Sequence, residues 1–266
     1  MDISKLFSVK GKVVLITGGS RGIGEMIATG FVSNGAKVYI ASRSVDVCNQ
    51  VAARLNGQGP GQCISIPADL KHLDGISQLV ENLTNRENHL DILVNNAGVT
   101  NNQEFDTYTE ESWNDIFDVN LKAPYFLTKA LIPLLTAKCT QEDPSRVIMI
   151  GSIAAMINSP MPSYVYSASK AGLHRMTEAL APLLGRRHIT VNSIAPGVFP
   201  SEMTKDIISE ENEAFLSELK KAIPAGRIGE SEDIAGTCIY LASRAGAYTN
   251  EATIVVDGCV TYANKS

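Results

Sequence analysis

The chain has 266 residues, of which 44% are hydrophobic and 19% are charged, and its formal net charge is −5. This length and composition predict one globular α/β domain with a large core and exclude a disordered chain. The negative charge argues against a nucleic-acid partner. No apolar run reaches membrane-spanning length, and the N-terminal residues lack a secretory-type apolar segment, so we expect a cytoplasmic protein without a membrane partner.

The cysteines and histidines predict neither disulfides nor a metal site. The cysteine count is odd and no pair has CxxC spacing, which is typical of buried free thiols in a reducing compartment. The four histidines form no cluster with acids or thiols at metal-ligand spacing.

Short apolar runs alternate with helical patterns along the chain, which predicts a doubly wound parallel sheet of about seven strands, a Rossmann fold in a single domain over residues 1–266. The predicted strands are 13–16, 37–42, 62–67, 90–95, 146–152, 190–195 and 253–256. The predicted helices are 25–34, 45–55, 74–85, 112–139, 165–184 and 231–242, with Pro182 expected to bend or end the helix that contains it.

A glycine-rich segment, residues 17–24 (TGGSRGIG), lies between the first strand and the first helix. Glycines let a backbone approach a pyrophosphate, and the free N–H groups at a helix start bind its charge. The segment therefore predicts a dinucleotide site, against the alternative of an ordinary strand-to-helix turn.

The end of the second strand predicts which nicotinamide cofactor is bound. An acid at this position accepts a hydrogen bond from a ribose 2′-hydroxyl. Here Ser42 is followed by Arg43, and Arg21 of the glycine turn can reach the same place. Because guanidinium groups bind phosphate oxygens as a fork, we predict NADP(H); the alternative is that both arginines are solvated surface charges.

Tyr166 and Lys170 are four residues apart, so on a helix their side chains share one face. A phenol titrates near pH 10, and a neighbouring ammonium lowers that pKa toward the range useful for proton transfer to a carbonyl oxygen. Such pairs also occur as plain surface neighbours. Tyr164 is a less suitable proton donor, because Ala168 stands four positions after it.

Together these motifs identify a family. Over nearly its whole length the chain resembles the short-chain dehydrogenase/reductase family. The matching features, in the expected order, are Thr17, Gly18, Gly22 and Gly24 (TGxxxGxG), Asp69-Leu70, the NNAG segment 95–98, Asn120, Ser152, Tyr166 with Lys170, and Pro196-Gly197. Cys259 departs from the pattern, since the family commonly has a second glycine there.

The resemblance implies a role for each matching position. Tyr166 is the expected proton donor, Lys170 lowers its pKa and binds the nicotinamide ribose, and Ser152 hydrogen-bonds the substrate carbonyl. Asn120 is expected to hold a water in a proton relay. The remaining positions are expected to bind the cofactor: Gly18, Ser20, Arg21, Gly22, Ile23, Gly24, Ser42, Arg43, Asp69, Leu70, Asn95, Ala97, Gly98, Pro196, Gly197, Phe199 and Ser201. Several of these, such as Asn95 and Gly98, could instead form plain turns.

The segments expected to surround the substrate are apolar. Residues 153–162 carry no charge, and the expected lid at about 198–225, with a helix over 205–223, adds Val198, Phe199, Met203, Ile207 and Ile208. They indicate a small neutral or lipophilic carbonyl substrate, unless these side chains only pack the core. Residues 194–204 resemble the β-ketoacyl reductase branch associated with rhamnolipid synthesis, which implies a 3-oxoacyl thioester.

Two other functions remain open. One is an NADPH-dependent ketone or polyol reductase of secondary metabolism, and the other is a catalytically silent NADP(H) sensor, which would not need Ser152, Tyr166 and Lys170. The family resemblance also implies a homo-oligomer, a dimer or tetramer, through the helices predicted at 112–139 and 165–184.

Overall fold

A computed structural model describes residues 1–158, 162–208 and 212–263 of the chain. Its strands form one parallel sheet in the order β3-β2-β1-β4-β5-β6-β7. The strands are β1 (Val13–Thr17), β2 (Lys37–Ala41), β3 (Gln62–Ser65), β4 (Ile92–Asn95), β5 (Ser145–Ile150), β6 (Ile189–Pro196) and β7 (Thr253–Val256). The predicted doubly wound Rossmann architecture is confirmed.

Helices cover both faces of the sheet, so two core layers form. The helices are α1 (Ile3–Leu6), α2 (Gly22–Ser33), α3 (Val45–Asn56), α4 (Leu73–Thr84), α5 (Glu110–Phe117), α6 (Ala123–Thr136), α7 (Tyr164–Gly185), α8 (Lys205–Ile208), α9 (Glu213–Ala222), α10 (Ser231–Ala242) and α11 (Val260–Ala263). Alternate strand residues enter opposite layers: Val14 and Ile16 pack in one, Val13 and Leu15 in the other. None of the described helices is both long and apolar enough to cross a membrane.

The helix predicted at 25–34 begins earlier, at Gly22. Gly22 and Gly24 therefore belong to the first helical turn, which brings the unpaired backbone N–H groups to the glycine segment itself. The helix predicted at 112–139 is also different, because α5 and α6 are joined by a π-helical turn, Asp118–Lys122. Such turns insert one extra residue and are often found at functional sites.

Pro182 does not end its helix early, since α7 continues to Gly185. Proline removes only one donor, and Ala181 and Leu184 on either side remain buried against the sheet. In place of the single lid helix predicted over 205–223, the structure has two helices, α8 and α9. Residues 209–211, which fall in that predicted helix, and residues 159–161 of the predicted substrate loop lie outside the described residues.

The prediction that the cysteines are buried was wrong for two of them. All five thiols are free, but Cys139 is half-buried and Cys259 is exposed. Cys259 has a positive φ of 78°, a conformation that glycine adopts more easily.

Candidate active site

A cleft of about 840 Å³ opens at the carboxyl ends of β1 and β4, where the strand order reverses. This is the usual ligand position in an open α/β sheet. Predicted site residues along the cleft are Gly18, Ser20, Arg21, Gly22, Ile23, Gly24, Ser42, Arg43, Asp69, Leu70, Ala97, Gly98, Tyr166, Lys170 and Ser201. Those that do not line it are Asn95, Asn120, Ser152, Pro196, Gly197 and Phe199.

The glycine turn is a tight backbone cradle. Gly18 and Gly22 have φ values of 65° and 49°. A Cβ on Gly24 would stand 2.1 Å from the Gly18 carbonyl oxygen, so no side chain fits there. Arg21, the N-cap residue of α2, makes no side-chain capping hydrogen bond, which leaves the helix N–H groups available to an anion.

The loop after β4 is bound to this cradle. Thr17 Oγ1 accepts hydrogen bonds from the backbone N–H groups of Asn96 and Ala97, both at 3.0 Å. The Asn96 amide donates to the Thr17 and Gly18 carbonyl oxygens. Asn96 therefore holds the loop after β4 against the glycine turn. The sequence had indicated this residue only as part of the NNAG motif.

The position of Asn95 corrects its predicted role at the adenosine ribose. Its side chain is buried beneath the cleft, where the amide donates to Thr128 Oγ1 at 3.1 Å and contacts the Met149 sulfur. A strand residue that points into the core cannot present its amide to the cleft, so Asn95 ties β4 to α6 and β5 instead.

The predicted 2′-phosphate residues Arg21, Ser42 and Arg43 all line the cleft. Ser42 and Arg43 follow β2, Arg21 is the N-cap residue of α2, and the Ser20 hydroxyl donates to Ser42 Oγ at 2.8 Å. Ser44 also lines the cleft and was missed. It is the N-cap residue of α3 and makes no side-chain capping bond, so its hydroxyl is available for a ligand.

Ser152 Oγ accepts a hydrogen bond from the Ala154 N–H at 3.1 Å, and the Ser152 hydroxyl also lies near enough to Tyr166 to act on its pKa. Burial raises the pKa of Tyr166, and the Ser152 side chain acts against that rise. The Lys170 ammonium lies 5.8 Å from the Tyr166 ring centre and donates to the Ile150 carbonyl oxygen at 2.7 Å. Burial also lowers the pKa of Lys170 to about 8.

Asn120 sits in the π-helical turn with a fully engaged side chain. Its Oδ1 accepts from the Val99 N–H at 2.8 Å, and its amide donates to the Val99 carbonyl oxygen and to Ser169 Oγ, each at 3.0 Å. Ser169 in turn donates to the Tyr166 carbonyl oxygen. The Asn120 side chain therefore fixes the loop and α7, and any relay water would have to use a backbone group.

The residues after β6 serve mainly to shape the site. Gly197 packs against Asp257, and a Cβ on Gly197 would be 2.8 Å from the Asp257 Cα. Phe199 is 2% exposed and packs against Gly229, so this predicted lid residue belongs to the core. Ser201 does reach the cleft, next to Gly22.

The cleft also contains residues that the sequence did not indicate. They are Ala41, Ser44, Ala68, Val99, Thr100, Val119, Ile150, Gly151 and Glu202. Most follow a strand end directly, which is the one signal that could have identified them. Among the described residues no group of three or more His, Cys, Asp or Glu side chains is placed to hold a metal ion.

Comparison with known proteins agrees with this geometry. A family model described as "Enoyl-(Acyl carrier protein) reductase" matches residues 18–261. The rhamnolipids biosynthesis 3-oxoacyl-[acyl-carrier-protein] reductase of Pseudomonas aeruginosa is 40% identical over 95% of this chain and 97% of its own length. The 5-keto-D-gluconate 5-reductase of Escherichia coli K12 is 33% identical over 96% and 98%. The solved Pseudomonas aeruginosa RhlG/NADP active-site complex superposes with a TM-score of 0.92 at 40% identity, covering 97% of this chain and 99% of that one. The chain therefore belongs to the short-chain dehydrogenase/reductase family of oxidoreductases.

Proposed function

We propose that this protein is an NADPH-dependent reductase that converts a carbonyl to a secondary alcohol, with Tyr166 as the proton donor. The observation that carries the proposal is that Tyr166 and the buried Lys170 both line a dinucleotide-sized cleft, with Ser152 near enough to Tyr166 to act on its pKa. A general acid next to a polarising hydroxyl is what reduction of a carbonyl requires.

The residues present fit NADP(H). The glycine cradle has no room for side chains, and the α2 N-terminus is free for the pyrophosphate. Arg21, Ser42, Arg43 and Ser44 offer cationic and hydroxyl groups, with no carboxylate at the end of β2, which suits a 2′-phosphate. NADP is also the molecule in the RhlG complex described above.

When bound, NADPH supplies the hydride for the carbonyl carbon, and side chains of the protein stabilise and protonate the carbonyl oxygen. Ser152 donates a hydrogen bond to the substrate oxygen and stabilises its growing negative charge. Tyr166 transfers its phenolic proton to that oxygen. The nearby charge of Lys170 stabilises the phenolate that is left, which is the state that burial disfavours.

For the substrate we favour a 3-oxoacyl thioester. Residues 153–158, which follow Ser152, are uncharged, and Val99, Val119 and Met203 add apolar cleft surface. Phe105 and Tyr164 meet edge to face, with ring centres 6.2 Å apart, and both remain substantially exposed. The Pseudomonas aeruginosa relative is named for this substrate class. The 5-keto-D-gluconate relative supports a polyol or ketone reductase as the second candidate.

A substrate panel separates these candidates. Purified protein is mixed with NADPH and, in parallel, with acetoacetyl thioester, longer 3-oxoacyl thioesters, 5-keto-D-gluconate and simple ketones, and NADPH oxidation is followed. We expect the highest kcat/KM with thioesters. A preference for the keto-sugar would select the second candidate. Tight NADPH binding without turnover of any carbonyl would favour the silent sensor.

We further propose a single-domain, cytoplasmic homo-oligomer, either a dimer or a tetramer. The five free thiols suit a reducing compartment. Trp113 of α5 and Tyr125 of α6 are partly exposed, and an isologous contact between copies would bury such aromatic side chains.

A further inference from the structure

His174 is a buried histidine of α7 that the proposed reaction does not use. Its side chain is only 8% exposed, and its Nε2 atom has no hydrogen-bond partner among the described residues. Buried polar atoms are normally paired, so this one needs a physical explanation.

Two side chains of α7, one helical turn apart, meet two consecutive residues at the end of β5. Lys170 donates to the Ile150 carbonyl oxygen at 2.7 Å. His174 points at the next residue, Gly151, so closely that a Cβ there would be 1.9 Å from Nε2. Ser152 follows directly. The backbone immediately before Ser152 is thus fixed by the helix that carries Tyr166.

The imidazole is neutral in this environment. Burial lowers the pKa of His174 to about 4, and the charge of Lys170 acts in the same direction, whereas Glu178 acts against it. A neutral Nε2 that lacks a hydrogen can accept a weak C–H hydrogen bond from the Gly151 Cα. The neutral imidazole therefore packs closely against the Gly151 backbone.

We propose that His174 is a positioning residue that acts through Gly151 and sets the separation between the Ser152 and Tyr166 hydroxyls. The imidazole occupies the space left by the missing side chain at position 151 and fixes how closely α7 approaches β5. The proposal rests on the proposed function, because the positioned groups are those assigned to proton transfer. Small displacements of such groups lower the chemical rate while the binding surfaces stay intact.

Changing the side-chain sizes at positions 151 and 174, singly and together, tests this role. Gly151→Ala adds a methyl group where the imidazole stands, His174→Ala removes the imidazole, and the double variant pairs the two changes. We expect each single variant to lower kcat by about tenfold or more, while NADPH affinity, measured by fluorescence, changes less than about threefold. In the double variant kcat should recover to within about threefold of wild type, because the methyl group then occupies vacated space.

Three results would overturn the proposal: unchanged kcat in both single variants, no recovery in the double variant, or an equal loss of NADPH affinity. If the Gly151→Ala variant does not fold, His174→Leu is tested in its place. His174→Leu should then retain a higher kcat than His174→Ala, because leucine refills more of the space that the imidazole occupied. Tyr166→Phe is assayed in parallel. If Tyr166→Phe stays active, the proposed function fails; if only the exchange variants behave like wild type, the positioning role alone fails.

Discussion

Replacing Arg43 with alanine should selectively impair the use of NADPH. Arg43 is an exposed residue just after β2 and, like Arg21 and Ser42, lines the cleft. In the described part of the chain neither arginine takes part in an ion pair, whereas Arg54 nearby is paired with Glu25. The guanidinium groups are thus free to bind a phosphate.

The expected magnitude follows from the exposure of the site. A charge-assisted hydrogen bond contributes about 1.5–3 kcal/mol, and we take the lower end, about 1.5–2 kcal/mol, because solvent screens this part of the cleft. At about 1.4 kcal/mol per tenfold change, kcat/KM for NADPH should fall about 10–30-fold in Arg43→Ala. NADH has a hydroxyl in place of the phosphate, so its kcat/KM should change less than about threefold.

The assay compares steady-state oxidation of both cofactors with one carbonyl substrate. Arg86→Ala is the matched control, because Arg86 is an exposed arginine that hydrogen-bonds Asn82 and does not line the cleft. Salt provides a second readout: screening over about 10 Å at 0.1 M should raise the wild-type KM for NADPH more than that of the variant. Equal losses for NADPH and NADH would refute the assignment.

Three further predictions concern pH and packing. Reduction should slow as the pH rises through about 8, because Lys170, whose pKa burial lowers to about 8, loses the charge that stabilises the Tyr166 phenolate; a pH–kcat/KM profile that is flat to about pH 10 would contradict this. Stability should fall by about 2 kcal/mol between about pH 7 and 5, because the unfolded chain protonates His174 near its ordinary pKa whereas the folded chain resists protonation down to about 4. Urea unfolding at the two pH values measures this, and His174→Leu should remove that part of the difference. Gly24→Ala should abolish NADPH binding in a fluorescence titration, since its Cβ would meet the Gly18 carbonyl oxygen, whereas Gly236→Ala has open space and should bind normally.

The central strands of the sheet were predictable because they are buried on both faces and form continuous apolar runs in the sequence. The run over Val13–Thr17 is an example, and each of its residues is buried. Helix ends were less predictable. The periodic spacing of apolar residues identifies the buried face of a helix but not its first residue. Gly22 begins α2 because of its backbone conformation, and a glycine has no side chain to contribute to the pattern.

The functional site was likewise predictable only in part. Motif spacing correctly placed Arg21, Ser42 and Arg43 in one cleft, because strand ends meet at one edge of a parallel sheet. It could not establish that Asn95 points into the core, since which strand face is buried depends on the register with neighbouring strands. The close approach of His174 to Gly151 was equally invisible, as it depends on how α7 packs on β5.

The central claim is that Tyr166 donates the proton in an NADPH-dependent carbonyl reduction. The most direct measurement is single-turnover reduction of the best thioester or ketone by wild type and by Tyr166→Phe, with NADPH affinity measured in parallel. We predict a loss of about 10²–10⁴ in the rate of the chemical step, the range for a general acid, with NADPH affinity within about threefold of wild type. A Tyr166→Phe enzyme that reduces the same substrate at the wild-type rate would contradict the claim.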